Sequence, residues 1–491
     1  MTEMQEDITS VISRETLAGR LPVPGFSRIY TNFSTLLWTA VALGAASFNY
    51  LFGASLAYIG NTKIAIAGYL IGLIVGLVPT YLASGMISYR HGVDPVDAAK
   101  STFGTRGALL MLAMILITTL GWAFVLIAMT GQAAGRLYQV ECSHSANLDN
   151  NVVSLVSISM LIWIWIFLRR GPAAITTLTR ITSPSILIIA CVILYLISKD
   201  SGIWALINTN ISPHAAYTND PLLQLAYGVE FGVSNAFTSV PFFGGIARLI
   251  QKRKHVITPC LLGAGLVGAG FITSVGALAA IATGSTEPAE WIVRAAGNGF
   301  GSIIVVVLLI ANLGTLVSFF YLAGVSIQQI RALSRLRWDM IVMLLLIPGI
   351  PVAFNTSWLL NHVMNWLGYN GAMLMSMAAV MFADYFFLRR QKVIPEHLFV
   401  KTRDSAYWFW GGVNWVAVSV VALGVVIYLS LFDPLTMVAN RSFRYIAAGL
   451  PSFVACTLIY SGLMLLVRNF SSQGSYQKLS AIEGKPIRVG L

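Results

Sequence analysis

The segment Gly228-Val229-Glu230-Phe231-Gly232-Val233-Ser234-Asn235 sets a carboxylate, two glycines and two small polar residues inside an apolar run, 222–247. Lipid offers a backbone no hydrogen-bond partners, so a crossing helix needs about 20 predominantly apolar residues, and this run is long enough. An ionisable group inside such a run is costly and is a functional candidate by default. The glycines make the segment a poor uninterrupted helix, and a broken helix frees backbone groups that can bind an ion or a substrate. Whether the run stands alone or belongs to a set decides the fold.

It belongs to a set of twelve. Spans 1 to 12 are expected at 33–59, 64–89, 107–137, 151–168, 181–198, 222–247, 257–283, 300–330, 339–355, 357–388, 408–432 and 443–467. Of the 31 lysines and arginines, 25 fall in the two tails and in gaps 2/3, 4/5, 6/7, 8/9 and 10/11. The others are Lys63, Arg136, Lys199, Arg294, Arg441 and Arg444. Basic loops stay cytoplasmic, so both termini are expected in the cytosol of a multi-pass protein of the cytoplasmic (inner) membrane. An even number of crossings is then required, and twelve satisfies it.

Composition agrees. A hydrophobic fraction of 57%, 10% charged residues and a mean hydropathy of +0.76 fit no soluble class. The net charge of +12 is dispersed over seven segments, so it reads as a topology signal and not as a nucleic-acid surface. Cys142, Cys191, Cys260 and Cys456 have no metal-site or disulfide-framework spacing, and no two histidines stand at i, i+4. No cofactor, no metal beyond a Na⁺ ion and no obligatory protein partner is implied. The N-terminal stretch lacks the apolar core of a signal peptide. The gaps are short, which leaves no room for a soluble catalytic module.

An internal echo suggests how the spans are arranged. Gap 2/3 reads Asp94-Pro95-Val96-Asp97 and then Phe103-Gly104; gap 7/8 reads Glu287-Pro288-Ala289-Glu290 and then Phe300-Gly301. The copies lie five spans apart, and an odd offset puts them on opposite faces of the membrane. That is the arrangement of an inverted repeat, in which a binding site lies near the midplane where the halves meet.

Three places carry polar character inside the spans. Glu230 can hold a substrate N–H pair or a coupling proton, or can pair structurally with a hydroxyl or amide of a neighbouring helix. Span 1 has its own weak point at Gly44-Ala45-Ala46-Ser47-Phe48-Asn49, equivalent to that of span 6 under a five-span repeat, although small residues also serve helix packing. In span 8, Asn312, Thr315 and Ser318 form one polar stripe, suited to a Na⁺ shell or to interhelical hydrogen bonds. Trp122 and Phe231 are aromatic faces on which a flat heterocycle can stack, although a tryptophan within a span also serves as a lipid-facing or core-packing residue.

Four stretches carry a family resemblance: TFGTRG at 102–107 with Gly121-Trp122; ADYFFLRR at 383–390; Asn414-Trp415-Val416-Ala417 with Ala422-Leu423-Gly424; and Tyr321 with Gly324. In this order the chain resembles the nucleobase-cation-symport-1 family of cytosine, purine, uracil and allantoin permeases and hydantoin transporters. The resemblance implies an all-α polytopic membrane protein with twelve transmembrane helices: a first five-helix repeat over 33–198, an inverted second over 222–388, and two extra helices over 408–467. Cytosolic tails at 1–32 and 468–491 complete it, and helices 1 and 6 are broken. It also implies alternating access for a small nitrogen heterocycle driven by Na⁺ or H⁺. Trp122 would be the span-3 stacking residue and Phe231 the span-6 aromatic. Ala46 and Asn49 would contribute to the cation site from span 1, and Ala311 and Thr315 from span 8.

Two departures bear on mechanism. Sodium-dependent relatives carry two adjacent hydroxyls on span 8, whereas here Gly314 precedes Thr315, which weakens a site for a small hard cation. Leu316, Val317 and Phe320 stand where the family places its substrate-binding amide or acid. Glu230, with Asn235 or Ser318, is then expected to hold the polar edge of the substrate, and H⁺ is slightly favoured over Na⁺. The rivals are an amino-acid or amine carrier of the same architecture, a non-transporting receptor, and a membrane-embedded enzyme. The last is disfavoured by the lack of a His/Asp/Ser constellation in the spans.

Overall fold

The computed structural model describes residues 22–143, 148–169, 173–209, 217–330, 333 and 336–470. Most of the two tails, 1–32 and 468–491, therefore lies outside the described residues. Among the described residues, seven helices are long and apolar enough to cross a membrane: Thr62–His91, Leu109–Cys142, Asn150–Arg169, Arg253–Thr283, Gly299–Ile327, Thr356–Leu388 and Gly449–Val467. Phe33–Gly44 and Phe48–Ala57 make an eighth, bent by 64°. The runs at 181–198, 339–355 and 408–432 correspond to the shorter helices Pro184–Lys199, Trp338–Phe354 and Trp415–Leu431. The last, with 17 residues, reaches about 25 Å at 1.5 Å per residue, short of a ~30 Å hydrocarbon layer.

Span 1 breaks where its sequence is weakest. Its first helix ends at Gly44, Ala45 leaves the helical region with ψ of 73°, and the second helix starts at Phe48. Span 6 differs from expectation. Gly228–Asn235 is unbroken helix within Pro221–Phe237, and the interruption comes at Thr238 and Ser239, before Val240–Ala247.

The glycines of span 6 have a different use. Gly228 and Gly232, at i and i+4, lie on one helix face against Gly68 and Gly72 of span 2. A Cβ at Gly228 would stand 2.6 Å from the Ala65 carbonyl oxygen, and one at Gly68 would stand 2.7 Å from that of Leu225. Cβ atoms at Gly72 and Gly232 would collide with the carbonyl oxygens of Val229 and Tyr69. Backbone meets backbone, as small residues permit between membrane helices. Span 1 meets span 7 in the same way: a Cβ at Gly276 would lie 2.6 Å from the Tyr50 carbonyl oxygen, and one at Gly53 would lie 2.5 Å from the Ala277 nitrogen.

The echo between gaps 2/3 and 7/8 is a repeated piece of structure. Pro95–Phe103 and Pro288–Ala296 are both nine-residue helices with an acidic N-cap, proline at the first position, and a closing glycine of positive φ. Each is preceded by a left-handed glycine, Gly92 or Gly284. The closing glycines are Gly104 and Gly297, so Phe300-Gly301 is not the counterpart of Phe103-Gly104. Partners correspond as well. Arg136 Nε donates to Glu287 Oε2 at 2.7 Å, and Gln329 Nε2 donates to Asp94 Oδ1 at 3.0 Å. Residues 136 and 329 are 193 positions apart, as are 94 and 287.

At the basic end of the bundle the family-marking stretches meet. Arg389 Nε donates to Asp384 Oδ2 at 2.6 Å with both side chains fully buried, and a guanidinium nitrogen of Arg389 donates to the Ser101 carbonyl at 2.7 Å. Thr102 and Tyr460 also donate to the Asp384 carboxylate, at 3.2 and 3.3 Å. Asn414 Nδ2 donates to the Thr102 carbonyl at 2.8 Å. These contacts tie the helix Pro95–Phe103, ahead of span 3, and the beginning of span 11 to the end of span 10 and to span 12.

Gly232→Ala is expected to lower the unfolding midpoint of the detergent-purified protein, with a loss on the order of 2 kcal/mol or more because backbone cannot yield as a side chain does. Gly462→Ala, where a Cβ would meet nothing within 4 Å, is expected to leave the midpoint unchanged. Equal midpoints for the two variants would contradict the packing described.

Candidate functional site

The break in span 1 is fastened on two sides by buried polar groups. On one side Ser47 Oγ donates to Asn312 Oδ1 at 2.5 Å, and Asn312 Nδ2 donates to Thr130 Oγ1 at 3.1 Å. The joint thereby meets spans 8 and 3. On the other side Asn49 Nδ2 donates to the Gly44 carbonyl at 2.8 Å, closing the gap the break opens. Asn235 Nδ2 donates to Tyr69 Oη at 2.7 Å and, more weakly, to Asn49 Oδ1 at 3.4 Å; Thr273 Oγ1 donates to Tyr69 Oη at 3.2 Å. One polar chain thus crosses spans 1, 6, 2 and 7. Buried polar groups need such partners, and leaving one unmet costs about 1–3 kcal/mol.

Beside this joint lies an aromatic cluster. Trp122 is stacked against Phe48, with centroids 4.2 Å apart and planes 16° apart. Phe52 and Trp366 meet Trp122 edge-on at 5.3 and 4.8 Å. A Cβ at Gly121 would run into the Trp366 ring, so the Gly-Trp pair makes room for that neighbour. The flat face expected of Trp122 is present, and in this structure it carries Phe48.

A cavity of about 590 Å³ opens between spans 1, 3, 6, 8 and 10, at the end of the bundle opposite the basic gaps. Ser55, Gln132, Phe231, Asn361 and Met364 line it, and Asn312 reaches it from beside the break. Its size lies within the range of small-molecule sites, about 300–1,000 Å³. Phe231 lines this space; Trp122 and Glu230 do not.

The remaining expected residues separate. Glu230 is fully buried, and its Oε2 accepts from the backbone N–H groups of Ala448 and Gly449, both at 2.8 Å. Ser234 Oγ donates to Oε1 at 3.2 Å. Of the readings open for Glu230, this geometry is the structural one, with backbone amides as partners: a carboxylate at the start of Gly449–Phe470, where free N–H groups and the helix dipole favour negative charge. Thr315 and Ser318 donate to carbonyls of their own helix, Ala311 at 3.5 Å and Gly314 at 3.0 Å. Ala46 and Ala311 each adjoin a member of the Ser47–Asn312 bond, whereas Asn49 turns to span 6. The expected set Ala46, Asn49, Ala311 and Thr315 is therefore split, and the hydrogen bond between spans 1 and 8 joins Ser47 to Asn312. Asn312 stood in the polar stripe and Ser47 in the weak stretch, so both carried a signal. Tyr69 and Thr273 carried none. Among the described residues no three His, Cys, Asp or Glu side chains gather as a metal site.

The sequence pattern of a family described as permease for cytosine/purines, uracil, thiamine, allantoin matches residues 29–446. Cytosine permeases of Escherichia coli O157:H7 and strain K12 are 26% identical over 398 residues, 80% of this chain and 82% of theirs. In fold the chain is similar to the inward facing conformation of Mhp1, with a TM-score of 0.75 and 17% identity over 95% of this chain and 97% of that one. It is also similar to Mhp1, described as a nucleobase-cation-symport-1 family transporter, in a closed conformation with bromovinylhydantoin bound, with a TM-score of 0.70 and 18% identity over 94% and 99%. A Na⁺-coupled sialic acid symporter follows at 0.57 and 14% identity, over 91% and 92%. At these identities the solved structures speak to fold.

Glu230→Ala is expected to lower the unfolding midpoint, since it strands two buried N–H groups at about 1–3 kcal/mol each. Glu230→Gln keeps one acceptor oxygen and is expected to lose less. Two variants of equal stability to the parent would show that the carboxylate does not hold span 12.

Proposed function

The chain belongs to the nucleobase-cation-symport-1 family of permeases for cytosine, purines, uracil, thiamine and allantoin, and we propose that it imports a nucleobase or related nitrogen heterocycle by cation symport with alternating access. It is a multi-pass membrane protein, which we place in the cytoplasmic membrane with both termini cytosolic, on the distribution of its basic residues. The observation that carries the proposal is the 64° break in span 1, bonded through Ser47 to Asn312 where that residue reaches the cavity. Irregular backbone at membrane depth is tolerated where protein buries it or where it lines a cavity, which is how transporters build midplane sites.

The proposed architecture has twelve spans in a five-plus-five inverted repeat, with two further spans. The short helices at spans 5, 9 and 11, together with the two pieces of span 6, Pro221–Phe237 and Val240–Ala247, complete the count when their ends lie in the interfacial layers. The matched helices at Pro95 and Pro288, offset by 193 positions, support the repeat. So does the pairing of span 1 with 7 and of span 6 with 2, because an offset of five spans converts one contact into the other.

Within the site, the heterocycle stacks on Trp122 in place of Phe48, a ring carried on the broken joint and so on the most adjustable backbone there. Phe231 faces it from the cavity, and Asn312, Asn235 and Ser318 supply polar contacts. Glu230 has no part in this proposal beyond holding span 12. The amine-carrier reading leaned on a free Glu230 carboxylate, and the preference for H⁺ leaned on it together with Gly314 ahead of Thr315, so the coupling ion is kept as H⁺ or Na⁺. A Na⁺ ion would sit between the carbonyls of the span-1 joint, around Ala46, and the span-8 oxygens of Ala311 and Thr315.

Proteoliposomes tested with pyrimidines, purines, hydantoins and allantoin are expected to accumulate at least one of them under an imposed Na⁺ or pH gradient. Binding without accumulation would make the protein a receptor, and accumulation of amino acids alone would make it a carrier of another class. Trp122→Ala is expected to raise the KM of the transported compound about tenfold, the worth of one stacked ring pair, while Phe48→Ala leaves or lowers it. Equal losses in both variants would place Phe48 in the substrate stack.

A further inference from the structure

Spans 11 and 12 lie outside the proposed repeat, yet their connection returns to the cavity. Phe432–Asp433 and Val438–Ala439 pair as an antiparallel hairpin, with Phe432 opposite Ala439. The turn between them is Pro434-Leu435-Thr436-Met437, and Met437 is in the cavity wall together with Phe231 and Tyr217.

We infer that Met437 is a specificity-determining residue, a fixed side of the cavity that limits the size of the heterocycle and its substituents; this rests on the function proposed above. Four features hold the hairpin in place. Tyr227 Oη donates to the Met437 carbonyl at 2.7 Å. Tyr227 stands one turn before Phe231 on span 6, so one helix face positions both the aromatic ring and the hairpin. Pro434 presses on Gly368 of span 10, where a Cβ would collide with the proline ring. That span supplies Asn361, Met364 and Asn365 to the cavity. Phe432 and Phe443 stack at 5.0 Å, and Tyr227 meets Phe443 at 5.2 Å. The Asp433 carboxylate accepts from the Leu435 N–H at 2.9 Å and from Thr436 Oγ1 at 2.7 Å, closing the turn.

Backbone strain marks the same residue. Met437 has φ of 57°, a left-handed conformation that side chains with a Cβ rarely adopt and that persists only where surroundings impose it. The hairpin imposes it here, and the result is a methionine set in the cavity wall. Methionine suits a wall that must fit varied ring edges, since its side chain is unbranched and polarisable. With its backbone pinned, only the side chain adapts. The cavity is thus bounded on this side by a residue whose volume can be changed without touching the span-1 joint.

Two measurements test this. In uptake, Met437→Trp is expected to raise the KM of the largest accepted heterocycles about tenfold or more while sparing the smallest, and Met437→Ala to admit larger ones. Leu435→Trp, in the same turn but exposed, is expected to change neither. A uniform effect across substrate sizes, or one shared by Leu435→Trp, would overturn the inference. The second measurement needs no substrate. In a chain with its four cysteines replaced, Met437→Cys is expected to react with a small impermeant methanethiosulfonate and to resist a polyethylene-glycol maleimide, whereas Leu435→Cys reacts with both. Reaction of Met437→Cys with the large reagent, or with neither, would remove it from the cavity wall. If no heterocycle is transported but the labelling is as expected, the functional proposal fails and the placement of Met437 stands.

Discussion

Backbone-to-backbone contact between span 2 and span 6, with nothing larger than hydrogen at Gly68, Gly72, Gly228 and Gly232, is the constraint on which the remaining geometry rests. In lipid no hydrophobic force draws two helices together, so close packing and interhelical hydrogen bonds must do so. With span 6 held on its glycine face, residues 230 and 231 point to different sides: Phe231 to the cavity and Glu230 to the start of span 12. Span 1 is held on span 7 by the same device. The chain from Asn49 through Asn235 to Tyr69 and Thr273 then crosses both helix pairs, so the joint in span 1 and the end of span 6 are tied together.

The helical character of the apolar runs was legible in the sequence because lipid leaves a backbone few options. Every long apolar run is mainly helical, and the distribution of lysine and arginine needed no structure to be seen. The echo of Asp94-Pro95 in Glu287-Pro288 was also legible, since an acidic cap, a first-position proline and a closing glycine are local signals. Its far end was misaligned because Phe-Gly is a cheap pair and the true counterpart, Gly297, has no preceding phenylalanine. The segment 228–235 shows where local reading stops. Glycines at i and i+4 weaken a helix and also let another helix approach, and the choice depends on Gly68 and Gly72, four spans earlier in the chain.

Glu230 was legible as exceptional and illegible as to its role. Two of its partners, the N–H groups of Ala448 and Gly449, are more than two hundred residues away and are backbone atoms, which no side-chain pattern announces. Ala447 beside them has φ of 54°, so the entrance to span 12 is strained and the carboxylate is part of what holds it. Trp122 is the converse case. Its character as a stacking face was readable from residue type and position, while Phe48 lying on it depends on the bend three-dimensionally placing that ring.

The stretches that mark the family do their work away from the cavity. Thr102, Asp384, Arg389 and Asn414 converge at the basic end, in a buried cluster where removing one partner of the ion pair would cost about 3–5 kcal/mol. Tyr321 and Gly324 seat Trp338, with the tyrosine ring 5.6 Å from it. Such residues are held by the architecture of the bundle. The cavity at the opposite end is lined by Gln132, Phe231, Asn361 and Met437. Gly121-Trp122, at the span-1 joint, is the family-marking pair that lies away from this cluster, and Trp122 is also the stacking face.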